Sequence, residues 1–266
     1  MECIHLAGGD NAVMLLYGLS GSPLEVIYLA TRLNAEGYSV EIPYIQGYAH
    51  STQGEIIKPY EFWINDALAH FHEMKKKYKS VSIGGLSCGA VICLRLAELV
   101  SNELAALILL STTLYIDGWS IPWYQIFIPL LYFSPLRHRL SFKESEPFGI
   151  KNLERRTMAS KGMAENSVSI TGGSTISLFK IYQARQLNLL VIKNLSLVTC
   201  PTLIIHAVED DTASLKNMEL VLSAISSPIV KQLTLQDSYH IITVDNEKEK
   251  VVHTCIDFLK QIVLNQ

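Results

Sequence analysis

The sequence predicts an α/β protein with a mostly parallel central sheet that carries helices on both faces. Segments with the character of strands recur along the 266 residues, and segments with helical periodicity separate them. The first strand, at residues 12–17, is apolar almost throughout, which is typical of a strand buried on both faces of a parallel sheet. Strands that alternate with helices in this way favour parallel pairing through helical crossovers.

The remaining elements follow in chain order. A turn at Ser20-Gly21-Ser22 leads into a helix at 23–34, whose first turn contains Pro23, a residue that suits this position. The later elements are predicted from alternating or continuous apolar residues and from amphipathic periodicity. They are a strand at 38–43, a helix at 60–78, a strand at 80–84, a helix at 90–100, strands at 104–111, 202–207 and 230–235, and a last helix at 248–263.

A Gly-x-Ser-x-Gly pattern lies between the strand at 80–84 and the helix at 90–100, at Gly85-Leu86-Ser87-Cys88-Gly89. A sharp strand-to-helix turn forces its middle residue into a strained conformation and exposes that side chain, and flanking glycines remove side chains that would collide there. The helix N-terminus behind the serine favours developing negative charge. The pattern predicts a nucleophilic serine, although a glycine-rich turn with a buried or capping serine is the alternative.

The interval between the strands at 104–111 and 202–207 is too long for a simple connection. It contains about ninety residues, whereas a crossover with its helix needs about a dozen or more. We therefore predict a core domain at residues 1–112 and 200–266 with an inserted helical lid at 113–199. An aromatic stretch broken by two prolines opens the lid and is predicted to line an apolar acyl pocket, the alternative being a small satellite core. Its aromatic residues are Trp119, Trp123, Phe127 and Phe133, of which the first three are the candidate substrate-binding residues.

Composition and charge exclude several classes of protein. Charged residues make up 18% of the chain and apolar residues 49%, which excludes a disordered protein, and a net charge of −3 without a basic block argues against a nucleic-acid partner.

The five cysteines show no metal-like spacing, and His70 and His72 face different directions on a predicted helix, so no metal site is expected. Scattered reduced thiols, no signal-peptide pattern and no spanning apolar stretch predict a cytoplasmic location without a transmembrane segment.

A nucleophilic serine needs a base, and the base needs a carboxylate that orients it. In this topology the chain order is serine, acid, histidine, each on a loop after a strand. His240 follows the last predicted strand and is the predicted base. Asp210, after the penultimate strand, is the predicted acid. Its neighbour Asp211 could instead cap a following helix, and Glu209 is expected to face solvent.

Acyl transfer also needs N–H donors directed at the oxyanion. The residue after the nucleophile, Cys88, supplies one candidate, and Leu19 in the loop after the first strand supplies the other. The alternative for that loop is a plain turn between a strand and a helix. Of the other histidines, His206 lies within a strand and is expected to be a core residue, whereas His50 is a surface residue that could border the site.

Four motifs together resemble the α/β-hydrolase fold, and specifically its bacterial carboxylesterase and monoacylglycerol-lipase group. Residues 15–23 resemble that group's Leu-His-Gly-Phe-Thr-Gly-Ser-Pro oxyanion segment, and 85–89 resemble its Gly-Leu-Ser-x-Gly elbow. Residues 201–210 are similar to its Pro-Thr-Leu-x-x-His-Gly-x-x-Asp segment, which supports Asp210 as the acid, and 238–245 to its Ser-x-His-x-x-Thr-x-Asp loop. The chain departs from the group at three places, which are Tyr17 in place of histidine, Ala207 in place of glycine, and the loop at 45–50.

The resemblance implies a serine hydrolase that cleaves carboxylic esters with an apolar acyl chain and uses neither a metal nor an organic cofactor. The expected partner is a small-molecule ester, and transient contact with a membrane surface through the lid is compatible with its aromatic residues. Thioesterases, lysophospholipases, amidases and acyltransferases share this machinery and remain alternatives. A catalytically silent protein that binds a lipid or a partner is a further alternative, which the joint presence of Ser87, Asp210 and His240 disfavours.

Overall fold

The computed structural model describes residues 3–50, 58–164 and 175–264. Strands and helices alternate along the chain in the following order. They are β1 (Ile4–Leu6), β2 (Asn11–Leu16), α1 (Ile27–Ala35), β3 (Ser39–Ile42), α2 (Tyr60–Lys77), β4 (Ser80–Leu86), α3 (Cys88–Val100), β5 (Leu107–Leu110), α4 (Ile128–Leu131), β6 (Ser141–Lys143), α5 (Leu153–Ala164), β7 (Thr175–Ser177), α6 (Leu178–Asn194), β8 (Thr202–Ala207), α7 (Lys216–Ala224), β9 (Val230–Leu235) and α8 (Lys248–Leu264).

Seven strands form one sheet in the order β1-β3-β2-β4-β5-β8-β9. Every neighbouring pair is parallel except β1 and β3, which are antiparallel at one edge. The predicted class, an α/β fold with a mostly parallel sheet, is confirmed. Because parallel strands end at the same edge of the sheet, the loops that follow β2, β4, β8 and β9 all open on one side of the molecule.

The central strands are buried on both faces. All four residues of β5 and five of the six residues of β2 are inaccessible to solvent, as the unbroken apolar runs predicted. Helix α3 packs on the sheet through eleven buried residues of its thirteen. This rigid core fixes the backbone at the carboxyl ends of the strands, from which the loops of the candidate site extend.

Most predicted elements occur within a few residues of their expected bounds, and the differences have local causes. The predicted helix at 23–34 opens as a 3₁₀ turn at Pro23–Glu25, because the Ser22 side chain accepts the Leu24 N–H and closes a tight first turn. The predicted strand at 104–111 is observed only at Leu107–Leu110, because the Leu104 N–H donates to Ser101 O in the preceding turn and is not available to the sheet. Strand β1 was not predicted, because three residues at a sheet edge carry no recognisable period.

The chain leaves the sheet after β5 and returns to it at β8. The intervening residues contain α4, α5, α6 and an antiparallel ladder between β6 and β7, in addition to short 3₁₀ turns. Helix α6 packs against α2 and α3, and its Asn188 Nδ2 donates to Thr113 O at 3.0 Å and to Leu114 O at 2.9 Å. A small apolar cluster at Ile128, Tyr132 and Leu178 holds this segment together.

Within the described ranges, no helix combines the length and the apolar character needed to cross a membrane.

Candidate active site

Ser87 occupies a strained turn between β4 and α3. Its backbone has φ 58° and ψ −123°, a conformation that L-residues seldom adopt and that persists only where the surroundings enforce it. The two glycines of the motif allow the close approach. A Cβ on Gly85 would lie 2.3 Å from the carbonyl carbon of Gly89, and a Cβ on Gly89 would lie 2.5 Å from Tyr17 O. The Ser87 N–H donates to Leu110 O at 2.9 Å, which ties the turn to the neighbouring strand.

Ser87, His240 and Asp210 form a continuous chain of hydrogen bonds. His240 Nε2 lies 2.8 Å from Ser87 Oγ, and His240 Nδ1 lies 2.8 Å from Asp210 Oδ2 and 3.0 Å from Oδ1. Burial is the largest single influence on His240 and by itself would lower its pKa, but the charge and hydrogen bond of Asp210 together with the charges of Asp211 and Glu25 raise that pKa above its usual value. Burial opposes ionisation of Asp210, yet the charge of His240 and the hydrogen bonds it receives hold its pKa well below the usual value.

The backbone also holds Asp210 in place. Its Oδ1 accepts the N–H groups of Thr212 at 2.9 Å and of Ala213 at 2.8 Å. His206, buried as expected, contributes more than packing, because its Nε2 donates to Ala213 O at 2.8 Å and lies 3.3 Å from Asp210 Oδ2. This contact was not predicted, since it depends on how the loop after β8 folds back over that strand.

Asp211 has a different set of partners. Its Oδ1 accepts the His240 N–H at 3.3 Å and its Oδ2 accepts the Gly149 N–H at 3.2 Å, so its side chain joins the histidine loop to the segment inserted after β5. The suggested role of Asp211 as a helix cap is wrong, because α7 begins only at Lys216. Glu209 is half exposed and pairs with the Lys151 ammonium, in keeping with the expectation that it faces solvent.

The two candidate oxyanion donors border the same cavity as Ser87. Leu19 lies in the loop after β2, and Cys88 is the first residue of α3, where an α-helix leaves its N–H without an intrahelical acceptor. The loop is held by Gly18 N–H, which donates to Glu25 Oε2 at 2.7 Å, and by Ser20 N–H, which donates to Tyr48 O at 3.1 Å. Both candidates therefore lie on backbone that the core restrains.

Tyr17 and His50 lie at two of the places where the chain departs from the group that it resembles, and both contact residues of the oxyanion loop or its support. Tyr17 is buried, and its carbonyl accepts the Tyr48 hydroxyl at 2.6 Å while the two rings pack 6.1 Å apart. His50 is half-buried, and its N–H donates to Gly21 O at 3.1 Å. Neither belongs to the described residues that line the cavity, so both support the oxyanion loop from outside the cavity.

A cavity of about 680 Å³ opens beside Ser87 and His240. The loops of the sheet form its floor, and the segment between β5 and β8 forms most of its walls. The walls combine apolar residues with four charged residues, which are Asp117, Lys143, Glu144 and Arg185, and the floor adds the carboxylates of Glu25 and Asp211. The apolar residues include Trp123, Ile128, Tyr132, Phe142, Ile176 and Ile181.

Only one of the three aromatic candidates lines this cavity. Trp123 does, whereas Trp119 and Phe127 lie outside the described lining residues. Trp119 Nε1 donates to Glu209 O at 3.0 Å, and its ring packs edge-on against Tyr239 at 5.3 Å. Trp123 and Phe127 share a 3₁₀ turn, and the Phe127 ring packs edge-on against the Trp123 ring at 6.3 Å. Phe133 is 88% exposed.

Two further residues near the nucleophile escaped the sequence reasoning. Thr113 Oγ1 lies 3.2 Å from Ser87 Oγ. Glu144 lines the cavity next to β6, and burial, with a contribution from the Asp211 charge, raises its pKa to about 7. Both lie far from the four motifs in the sequence, and no local pattern distinguishes them from other loop residues. The strand that brings Glu144 to the site is defined only by its pairing with β7.

The strand order and the strained serine between β4 and α3 are those of the α/β-hydrolase fold. The chain belongs to the family described as serine aminopeptidase, S33, whose model matches residues 9–249. Two curated relatives match almost end to end. The chain is 21% identical to a carboxylesterase of Bacillus subtilis (strain 168), and the match covers 96% of this chain and 94% of that protein. It is 22% identical to a thermostable monoacylglycerol lipase of Bacillus sp. (strain H-257), and the match covers 97% of this chain and 93% of that protein.

Solved structures agree on the fold. One, from a study of the metagenome-derived lipolytic enzymes LipS and LipT, superposes with a TM-score of 0.82 at 21% identity and covers 98% of this chain and 97% of its own. Another is a soluble variant of monoglyceride lipase from Saccharomyces cerevisiae in complex with a substrate analog. It superposes with a TM-score of 0.83 at 18% identity and covers 98% of this chain and 91% of its own. Fold, family and relatives place the chain among the carboxylic ester hydrolases.

Proposed function

We propose that the protein is a serine hydrolase that cleaves carboxylic esters with an apolar acyl chain through an acyl-enzyme intermediate. The observation that carries the proposal is the unbroken contact from Asp210 through His240 to Ser87 at the floor of the cavity. Serine, histidine and a buried carboxylate in this order form the unit that makes a hydroxyl nucleophilic at neutral pH.

In the proposed reaction, Ser87 Oγ attacks the ester carbonyl carbon as its proton moves to His240 Nε2. Asp210 accepts the Nδ1–H, which keeps the imidazole in the required tautomer and stabilises the imidazolium that forms. The Leu19 and Cys88 N–H groups stabilise the tetrahedral oxyanion. The intermediate collapses as His240 returns the proton to the alcohol that leaves. Water then attacks the acyl-serine by the same route and releases the acid.

The apolar walls support the preference for an apolar acyl chain. Trp123, Tyr132 and Phe142 provide aromatic surface, and Ile176 and Ile181 provide aliphatic surface. Each methylene buried against such surface contributes about 0.8 kcal/mol. We further propose that residues 113–199 act as a lid over a core formed by 1–112 and 200–266, since the cavity walls come mostly from this segment.

The alternatives differ in the bond that is cleaved or in the acceptor. Thioesters, lysophospholipids and amides could be attacked by the same serine, an acyltransferase would replace water with another alcohol, and a binding protein would cleave nothing. The family description names an aminopeptidase, so aminoacyl anilides belong among the test substrates. The names of the two curated relatives favour esters over these alternatives.

Covalent labelling with a fluorophosphonate probe, followed by p-nitrophenyl ester turnover, tests the proposal. We expect the wild-type protein to be labelled and to hydrolyse esters faster than aminoacyl anilides. Ser87→Ala should abolish labelling and lower kcat by about 10⁴-fold or more, because the nucleophile is removed. Ser223→Ala, an exposed serine of α7, is the matched control and should behave as wild type. Labelling of Ser87→Ala at the wild-type rate would refute the assignment.

A further inference from the structure

A second cluster of reactive side chains lies at the β1 edge of the sheet, three strands away from β4. Cys3 precedes β1, Glu41 belongs to β3, and His70 belongs to α2. Cys3 Sγ lies 3.9 Å from His70 Nε2, which in turn lies 2.7 Å from Glu41 Oε2. One donor atom from each residue lies within 4.8 Å of the other two. None of the three takes part in the proposed hydrolysis.

The fold brings these residues together from distant parts of the sequence. In the antiparallel ladder His5 pairs with Glu41, so both side chains point to the same face of the sheet. Cys3, two residues before His5, is expected on that face as a diagonal neighbour of Glu41. Helix α2 directs His70 at the same carboxylate. The prediction that no metal site exists was based on the spacing of the cysteines and on the comparison of His70 with His72, neither of which relates Cys3 or Glu41 to His70.

The three side chains offer a thiol, an imidazole and a carboxylate, which are the ligand types that Zn²⁺ prefers. In a tetrahedral zinc site, neighbouring sulfur and nitrogen ligands are about 3.6 Å apart and nitrogen and oxygen ligands about 3.3 Å apart. The observed separations of 3.9 Å between sulfur and nitrogen and 2.7 Å between nitrogen and oxygen therefore need to change by only about half an ångström. The third separation, between the Cys3 sulfur and a Glu41 oxygen, is within 4.8 Å.

The surroundings orient the donors. The Glu41 side chain is almost fully buried, and its Oε1 accepts the Tyr78 hydroxyl at 3.0 Å and lies 3.4 Å from His5 Nδ1. Outer hydrogen bonds of this kind hold a metal-binding carboxylate in a fixed direction. Cys3 is exposed, which leaves an entry path from solvent.

We propose that Cys3, Glu41 and His70 bind one divalent transition metal ion, with Zn²⁺ the best match to the donor set and water at the fourth position. Binding joins the edge strand β1 to α2 and favours the folded state by mass action. The metal displaces the thiol proton of Cys3, so binding releases this proton to solvent. The site has no part in ester cleavage and is independent of the proposed function.

Titration with Co²⁺ and Zn²⁺ after removal of metals with a chelator tests this site. The wild-type protein should bind one Co²⁺ per chain with a thiolate-to-cobalt charge-transfer band in the near ultraviolet, and Zn²⁺ should abolish the band. Cys3→Ser should lose the band and bind Zn²⁺ at least tenfold more weakly by calorimetry. His70→Gln should also weaken binding at least tenfold.

His72→Gln, an exposed histidine of the same helix, is the matched control and should bind Zn²⁺ as wild type does. Ester turnover or probe labelling of Ser87 in the Cys3→Ser protein, compared with wild type, serves as a check that the chain is folded. The proposal is overturned if the wild-type protein shows no thiolate band with Co²⁺. It is equally overturned if either Cys3→Ser or His70→Gln binds Zn²⁺ as tightly as wild type.

Discussion

At the residue scale, two adjacent carboxylates have separate partners. Asp210 accepts from the His240 ring, whereas Asp211 accepts from the backbone N–H groups of His240 and Gly149. Asp210→Asn should lower kcat by about 10⁴-fold, because an amide favours the wrong imidazole tautomer. Asp211→Asn should lower kcat by about tenfold or less, since it weakens two backbone contacts and leaves the hydrogen bond between His240 and Asp210 in place. Steady-state turnover of p-nitrophenyl butyrate measures both, and the reverse ranking would transfer the role of the acid to Asp211.

The protonation state of His240 predicts how kcat/KM depends on pH. Only the neutral imidazole accepts the Ser87 proton, so kcat/KM should rise with pH and be lost as pH falls through the pKa of His240. Because the Asp210 carboxylate raises this pKa, the midpoint should lie above the usual value of about 6.5. The Asp211 charge raises it further, so Asp211→Asn should move the midpoint to lower pH.

The pH profile has a direct control. Glu73→Gln removes an exposed carboxylate on α2 and should leave the midpoint unchanged. A wild-type profile that stays flat between about pH 5 and 8 would be incompatible with a histidine base.

At the scale of elements, the turn between β4 and α3 depends on close backbone contact. Gly85→Ala would place a Cβ 2.3 Å from Gly89, so the helix must move away from the strand. We expect a loss of about 1–3 kcal/mol in the free energy of unfolding and a marked loss of kcat, because the displacement also moves Ser87. Urea denaturation and ester turnover measure the two effects.

Gly37→Ala provides the comparison for this turn. Gly37 has φ 91° and no heavy atom within 4 Å of a built Cβ, so its substitution costs about 1–2 kcal/mol of backbone strain without displacing a neighbour. This variant should lose stability and keep kcat. If Gly85→Ala also keeps wild-type kcat, the close contact is not what positions the nucleophile.

Local sequence was sufficient for the long elements of the core and insufficient for the short ones. The predicted bounds of β8 and β9 match the observed Thr202–Ala207 and Val230–Leu235. Strand β8 is buried throughout and marked by an apolar run, whereas β9 is a mostly exposed edge strand in which apolar and polar residues partly alternate. β6 and β7, three residues each, were not predicted. Their only defining feature is the ladder that they form with each other across more than thirty residues of chain.

At the scale of the whole molecule, the cavity between the sheet and the inserted segment predicts a dependence on acyl-chain length. The kcat/KM of p-nitrophenyl esters should rise with the number of carbons until the cavity is filled, by about fourfold for each added methylene. Trp123→Ala should flatten this rise, because Trp123 lines the cavity. Phe127→Ala should flatten it less, because Phe127 does not line the cavity and acts on it only through its edge-on contact with Trp123.

Measurement of kcat/KM for esters from acetate to dodecanoate decides between these outcomes. A steady fall from acetate onward would mean that the cavity walls close on one another and accept only short acyl groups. An equal effect of Trp123→Ala and Phe127→Ala would mean that the aromatic residues act through stability, which urea denaturation of the two variants would then reveal.

The sequence by itself determined the class of fold and selected three residues, Ser87, Asp210 and His240, that the structure brings within hydrogen-bonding distance of one another. It could do so because each follows a strand, and parallel strands direct their carboxyl ends to one edge of the sheet. Only the tertiary structure decided that Trp123, but not Trp119, faces the cavity. The direction of a side chain in an irregular segment depends on what that segment packs against. For the same reason the cluster at Cys3 became visible only when three separate elements had been placed side by side.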